Sequence, residues 1–207
     1  LLHALTEWGT AALTELVGMF TFALLDTSER KLLLARDFFG IKPLYYARSG
    51  GGIAFASETK VLLGLPGLDR TLNPQRTYDY LRFGLTDHGG QTMLGAIRQL
   101  PSAHYLEVDL DRPGLLPAPV RYWSPRPSPE AAHLSFDEAA NRLRDLFLES
   151  VSLHLRSDVP VGVALSGGID SSAVLSAMRH LAGPGLDLHA FSFVGDGAAI
   201  SEERWID

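Results

Sequence analysis

Val163-Ala164-Leu165-Ser166-Gly167-Gly168-Ile169-Asp170-Ser171-Ser172 decides how this chain is read. Residues 160–165 form a short apolar run of strand length, expected to be buried. Ser166, Gly167 and Gly168 are turn residues, and residues 169–181 carry a helical pattern. A second short apolar run, residues 188–194, follows. Strand, glycine turn, helix, strand is a βαβ unit and implies a parallel sheet. Glycine in the turn lets the backbone approach a ligand closely. The first N–H groups of the helix have no internal partner, and the helix dipole adds partial positive charge there. With hydroxyls from Ser166, Ser171 and Ser172, the loop reads as a phosphate cradle at the carboxyl end of a strand. Asp170 would be misplaced beside bare phosphates but fits if Mg²⁺ lies between it and the phosphate oxygens. The plainer alternative is a Gly-Ser turn capping a helix, with Asp170 as a favourable N-terminal charge. The loop is neither a Gly-x-x-x-x-Gly-Lys phosphate loop nor a Gly-x-Gly-x-x-Gly dinucleotide fingerprint.

Upstream, Ser135-Phe136-Asp137-Glu138 is a capping box that opens a helix to about residue 154. Its apolar positions, Phe136, Ala139, Ala140, Leu143, Leu146, Phe147 and Val151, recur at helical spacing. Before it, residues 112–129 hold six prolines and read as a linker, with a domain boundary near residues 125–133. The first 60 residues have a different texture. A helix end closed by Gly9 and a short helix capped by Thr10 lead into apolar runs at 19–26, 31–37, 43–48 and 53–57. Turn residues separate these runs, so they read as antiparallel β. Asn73-Pro74 opens a further helix carrying Tyr78, Leu81 and Phe83, and residues 104–109 alternate like a strand.

The 207 residues are 46% apolar and 20% charged, a globular balance that excludes intrinsic disorder. No cysteine is present, which excludes disulfides, thiolate metal sites and cysteine catalysis within these residues. The net charge of −6, with basic residues spread thinly, points to no nucleic-acid partner. No run approaches the roughly 20 apolar residues needed to cross a bilayer, so no membrane partner is expected. No targeting segment is visible, and a cytoplasmic location is expected. The seven histidines, His3, His88, His133 and His180 among them, lack metal-ligand spacing. Arg36, Asp37 and Lys42 read as turn-fixing residues rather than catalytic ones. Glu202-Glu203-Arg204 reads as a solvated helix start.

Ser166-Gly167-Gly168-Ile169-Asp170-Ser171-Ser172 resembles the pyrophosphate-binding loop of the adenylate-forming ATP pyrophosphatases. With Ser157-Asp158-Val159-Pro160-Val161-Gly162 before it, the segment is similar to the glutamine-hydrolysing asparagine synthetases. Earlier blocks agree: residues 18–26, Ala35-Arg36-Asp37-Phe38-Phe39-Gly40-Ile41-Lys42-Pro43-Leu44-Tyr45-Tyr46, residues 55–60, and Leu100-Pro101-Ser102-Ala103-His104 resemble the later part of that family's glutaminase domain. The family more often has Pro-Gly where Ser102-Ala103 stand.

The resemblance implies a two-domain α/β chain. Residues 1–125 would be part of a class-II amidotransferase domain, an N-terminal-nucleophile α/β/β/α sandwich. Residues 126–134 would be a linker. Residues 135–207 would begin an ATP-pyrophosphatase domain, adenine-nucleotide α-hydrolase-like, with a parallel sheet. It further implies ATP and Mg²⁺ as cofactors, aspartate and glutamine as substrates, β-aspartyl-AMP as intermediate, and a homodimer among the assemblies the family offers. Ser166, Gly167, Gly168, Ile169, Asp170, Ser171 and Ser172 would hold the pyrophosphate, with Asp170 on Mg²⁺. Leu165 and Phe193 would contact the adenosine, and Met19 would line an ammonia tunnel. The family's nucleophilic cysteine, its glutamine-binding segments and its later synthetase residues have no counterpart in these residues. The expectation is therefore a fragment that is inactive alone. Two alternatives stay open: a β-lactam synthetase or peptide macrolactam cyclase of the same plan without glutaminase chemistry, and a non-catalytic glutaminase-like scaffold.

Overall fold

A computed structural model describes residues 1–86, 89–112, 115–183, 185, 187–195 and 202. His88, Pro113, Glu203 and Arg204 lie outside the described residues. The chain separates into two compact units, Leu1–Arg126 and Pro127–Asp207. No helix among the described residues is long and apolar enough to cross a membrane.

Among the described residues the first unit holds seven strands: β1 Thr21–Asp26, β2 Lys31–Arg36, β3 Tyr45–Ser49, β4 Gly52–Ala56, β5 Ile97–Gln99, β6 His104–Asp109 and β7 Val120–Arg121. They form a four-stranded sheet, β1-β2-β6-β7, and a three-stranded sheet, β4-β3-β5, with every pairing antiparallel. The β1–β2 turn forms because the Asp26 carboxylate accepts from the N–H groups of Ser28 and Glu29 and from the Ser28 hydroxyl. The period of two then sets the layers. Leu32 and Leu34 of β2, with Leu106 and Val108 of β6, pack against Leu44 and Tyr46 at the second sheet. On the opposite face, Leu33 and Ala35 pack against Leu5 of α1 (Leu2–Trp8) and against Ala12 and Leu13 of the 3₁₀ helix that follows. Beyond the second sheet, Ala47 and Ile97 meet Leu62 of α2 (Thr59–Leu63). Helices, sheet, sheet and helix are thus stacked in that order.

Several expectations change. The segment read as a helix capped by Thr10 is a 3₁₀ helix, Gly9–Thr14, without a side-chain cap. β5 and β7 carry no apolar run of their own; three and two residues long, they exist because β3 and β6 supply the ladder. β7 lies inside the segment read as a linker. β2 is buried on both faces, but the edge strand β1 is not, and its Leu25 stays 56% exposed. Helix α3 (Pro74–Phe83) starts as its Asn73 cap predicts, the side chain accepting from the N–H groups of Gln75 and Arg76. Arg76 and Asp79 are buried, with Nη2 and Oδ2 at 2.8 Å, and Tyr78, Leu81 and Phe83 are exposed.

The second unit holds α4 (Phe136–His154), β8 (Gly162–Ala164), α5 (Ile169–Ala182) and β9 (His189–Phe191). A 3₁₀ turn, Glu130–His133, precedes α4 inside the segment read as a linker. The capping box forms as its sequence predicts: Ser135 accepts from the Glu138 N–H, and the Glu138 carboxylate accepts from the Ser135 N–H. β8 and β9 pair in parallel, with Val163 opposite Ala190. The small core is Val151, Val163, Ala177 and Met178. The run at 160–165 is expected to be buried, but in β8 only Val163 is, and β9 is exposed throughout. The α4 stripe is similarly open: Phe136, Leu143 and Leu146 remain exposed. Among the described residues of this unit, two strands and one further helix are too few to cover those faces.

Candidate functional site

The Ser166–Ser172 loop stands where β8 ends and α5 begins. Leu165 extends the ladder by one bond, its N–H donating to the Phe191 carbonyl at 2.8 Å. The chain then turns back through Gly167, whose φ of +70° is in the left-handed region that suits glycine. The loop is closed by its own serines. The Ser166 N–H donates to Ser171 Oγ at 3.2 Å, the Ser166 and Ser171 hydroxyls lie 3.1 Å apart, and the Gly168 N–H donates to Ser166 Oγ at 3.3 Å. Ser171 Oγ also reaches the Gly168 carbonyl at 3.2 Å. The Ser172 N–H donates to that carbonyl at 3.1 Å as the first bond of the helix.

Each residue expected at the site can be placed on this frame. Ser166, Gly168, Ser171 and Ser172 are joined by the bonds just given. Gly167 makes the turn. Ile169 is 86% exposed and offers its backbone at the first helical position. Asp170 is exposed in the first turn of α5. Leu165 is half-buried at the strand end. Phe193 stands two residues past β9, is 62% exposed, and its carbonyl accepts from the Glu202 N–H at 3.2 Å. The loop's hydrogen bonds do not include Phe193.

Sequence reasoning missed Ser192. Its hydroxyl donates to the Leu165 carbonyl at 2.6 Å, across 27 residues of chain. No local signal marks it, because the contact depends on the pairing of β8 with β9.

The donor set suits a phosphate group. Gly168, the N-cap of α5, makes no side-chain capping bond, so the positive end of the helix faces hydroxyls rather than a carboxylate cap. A Cβ built on Gly168 would approach Ser166 Oγ to 3.2 Å, narrowing the turn from within. Among the described residues no group of three or more His, Cys, Asp or Glu could hold a metal alone. A single exposed carboxylate fits Mg²⁺ only when phosphate oxygens complete its shell.

In the first unit, the motif around Arg36 and Asp37 forms a polar node. The Arg36 guanidinium donates to the carbonyls of Lys42 (2.8 Å), Leu100 (2.7 Å) and Gly40 (2.6 Å). Asp37 is 1% exposed and accepts from the N–H groups of Phe39, Ile41 and Lys42 at 2.9–3.1 Å. The Tyr122 hydroxyl donates to the Arg36 carbonyl at 2.7 Å. Burial, with Asp37's charge nearby, pushes that phenol up to about 12. Gly40 has φ +68°, and a Cβ there would meet the Arg36 guanidinium carbon at 2.9 Å. Lys42 enters through its backbone. The node pins three loops together, and Met19 lies outside it with its side chain exposed.

Comparison with known proteins adds to this geometry. Residues 1–123 match the family model of the glutamine amidotransferase domain, and residues 142–207 match that of asparagine synthase. A putative glutamine-hydrolyzing asparagine synthetase of Mycobacterium tuberculosis is 39% identical over 179 residues, which cover 84% of this chain and 27% of that protein. Asparagine synthetase 3 of Bacillus subtilis is 32% identical over 194 residues, 93% of this chain and 31% of that protein. An amidase of Gibberella zeae is 34% identical over 184 residues, 88% of this chain and 26% of that protein. The chain therefore spans about a quarter to a third of the length of these relatives.

Proposed function

This chain belongs to the glutamine amidotransferase domain family over residues 1–123 and to the asparagine synthase family over residues 142–207, and from that premise we propose that it is part of a glutamine-dependent, ATP-consuming asparagine synthase. The observation that carries the reading is the Ser166–Ser172 loop, an uncapped helix start ringed by hydroxyls, in the same chain as an amidotransferase domain. The reaction would convert aspartate and ATP to β-aspartyl-AMP and pyrophosphate, and ammonia released from glutamine would then displace AMP. In this scheme the first unit would be part of an N-terminal-nucleophile glutaminase, a reading supported by the order of its four layers. The second would begin an ATP-pyrophosphatase domain, a reading supported by the parallel β8–β9 pair. A cytoplasmic location and a homodimer belong to the same proposal.

Within the loop, the backbone N–H groups at the start of α5 and the hydroxyls of Ser166, Ser171 and Ser172 would bind the phosphates. Asp170 would hold Mg²⁺ against them, and Leu165 and Phe193 would border the adenosine. Mg²⁺, when bound, would neutralise the charge that builds up on the departing pyrophosphate. The loop itself contributes orientation: its donors are fixed before the ligand arrives.

The test uses the protein at its full natural length with ATP, Mg²⁺ and aspartate. With ammonia or glutamine as nitrogen source, pyrophosphate and asparagine are expected. Asp170→Ala should cut pyrophosphate release at least tenfold from either source. Absence of pyrophosphate release by the native protein would sink the proposal.

A further inference from the structure

The Leu165–Ser166 peptide is the entrance to the loop, and both ends of Leu165 are tied to consecutive residues at the end of β9. Its N–H donates to the Phe191 carbonyl at 2.8 Å, an ordinary ladder bond. Its carbonyl accepts from the Ser192 hydroxyl at 2.6 Å, which is not a ladder bond but a side-chain contact made where the two strands stop pairing. A trans peptide is planar, with its C=O and N–H pointing in opposite directions. Holding the Leu165 carbonyl from the Ser192 side therefore directs the Ser166 N–H the other way. There it meets Ser171 Oγ, 3.2 Å away, inside the ring of hydroxyls. Without the Ser192 hydroxyl, this peptide could rotate and release the Ser171 hydroxyl from its place in the cradle.

We propose that Ser192 is a positioning residue for the phosphate cradle: its hydroxyl locks the Leu165–Ser166 peptide so that the Ser166 N–H holds the Ser171 hydroxyl in place for the bound polyphosphate. The inference rests on the nucleotide reading of the loop given above. Ser192 acts through the peptide and need not touch the ligand. It is half-buried, and an isosteric pair, Thr and Val, differs at this position mainly in whether the hydroxyl is present.

The experiment compares native protein, Ser192→Val and Ser192→Thr, each at full natural length, in ATP-dependent pyrophosphate release. Ser192→Val should raise the KM for ATP two- to tenfold, the span that one ordinary hydrogen bond supplies. The KM for aspartate should stay within twofold of native, and Ser192→Thr should restore the KM for ATP. A merely structural role would lower the melting temperature of the Val variant without separating the two KM values. Equal KM values for ATP in the Val and Thr variants would overturn the inference while leaving the nucleotide reading intact. If the Val variant does not fold, Ser192→Ala makes the same comparison with Thr. Failure of the native protein to bind ATP would overturn the nucleotide reading, and this inference with it.

Discussion

Two polar turns in this chain look alike in one dimension and differ in three. Arg36-Asp37 and its Gly40 stand at the end of β2; Ser166-Gly167-Gly168 and its Asp170 stand at the end of β8. Each contains a carboxylate and a glycine at positive φ, +68° at Gly40 and +70° at Gly167. In the first turn the polar groups are buried and satisfied from within. Asp37 takes three backbone N–H groups, and the Arg36 fork meets three carbonyls. In the second, Asp170 is exposed and the helix start lacks a side-chain cap. A saturated polar cluster at a strand end is a fastener, because little of its hydrogen-bonding capacity is left for a ligand. An exposed one with donors in hand is where a ligand can complete the set.

The sharpest test of this contrast is Asp37→Ala. It would take the buried acceptor away from the part-buried N–H groups of Phe39, Ile41 and Lys42, and a loss of about 3 kcal/mol in urea unfolding is expected. A loss below 1 kcal/mol would mean the node is not a fastener. Tyr122→Phe removes one bond to the Arg36 carbonyl and should cost about 1 kcal/mol. It should also change the alkaline limb of stability. The native phenol sits at about 12 against an ordinary 10, so its contribution is complete below pH 10 and is lost as the pH rises from 10 to 12. Stability of the Phe variant should depend less on pH across that window, and identical slopes would break the argument. The smallest effect belongs to the other turn. Asp170→Asn should change unfolding stability by no more than about 0.5 kcal/mol, since the side chain is exposed. A large loss there would make Asp170 a structural residue and erase the contrast.

Much of this was legible in order along the chain. The β1–β2 hairpin follows from two apolar runs separated by the turn residues Thr27-Ser28-Glu29-Arg30. The start of α4 follows from Ser135 and Glu138, and that of α3 from Asn73-Pro74. In each case the signal and the structure it specifies lie within a few residues of each other. The elements that escaped are those whose stability is borrowed. β5 and β7 are held by β3 and β6. Which side of α3 is buried cannot be read from its apolar residues, because burying Arg76 and Asp79 requires partners that satisfy both charges.

The sequence alone determined that residues 166–172 would turn between a strand and a helix with glycine, hydroxyls and one carboxylate, since those preferences are local. It likewise determined that a β-rich region would be followed by a βαβ unit. Only the tertiary structure decided that Arg36 and Asp37 are closed off from solvent and Asp170 is not, and that Ser192 reaches the Leu165 carbonyl. Each of these depends on which distant strand lies alongside. The exposure of a polar group, and the partner of a hydroxyl 27 residues away, are set by packing rather than by neighbours in sequence.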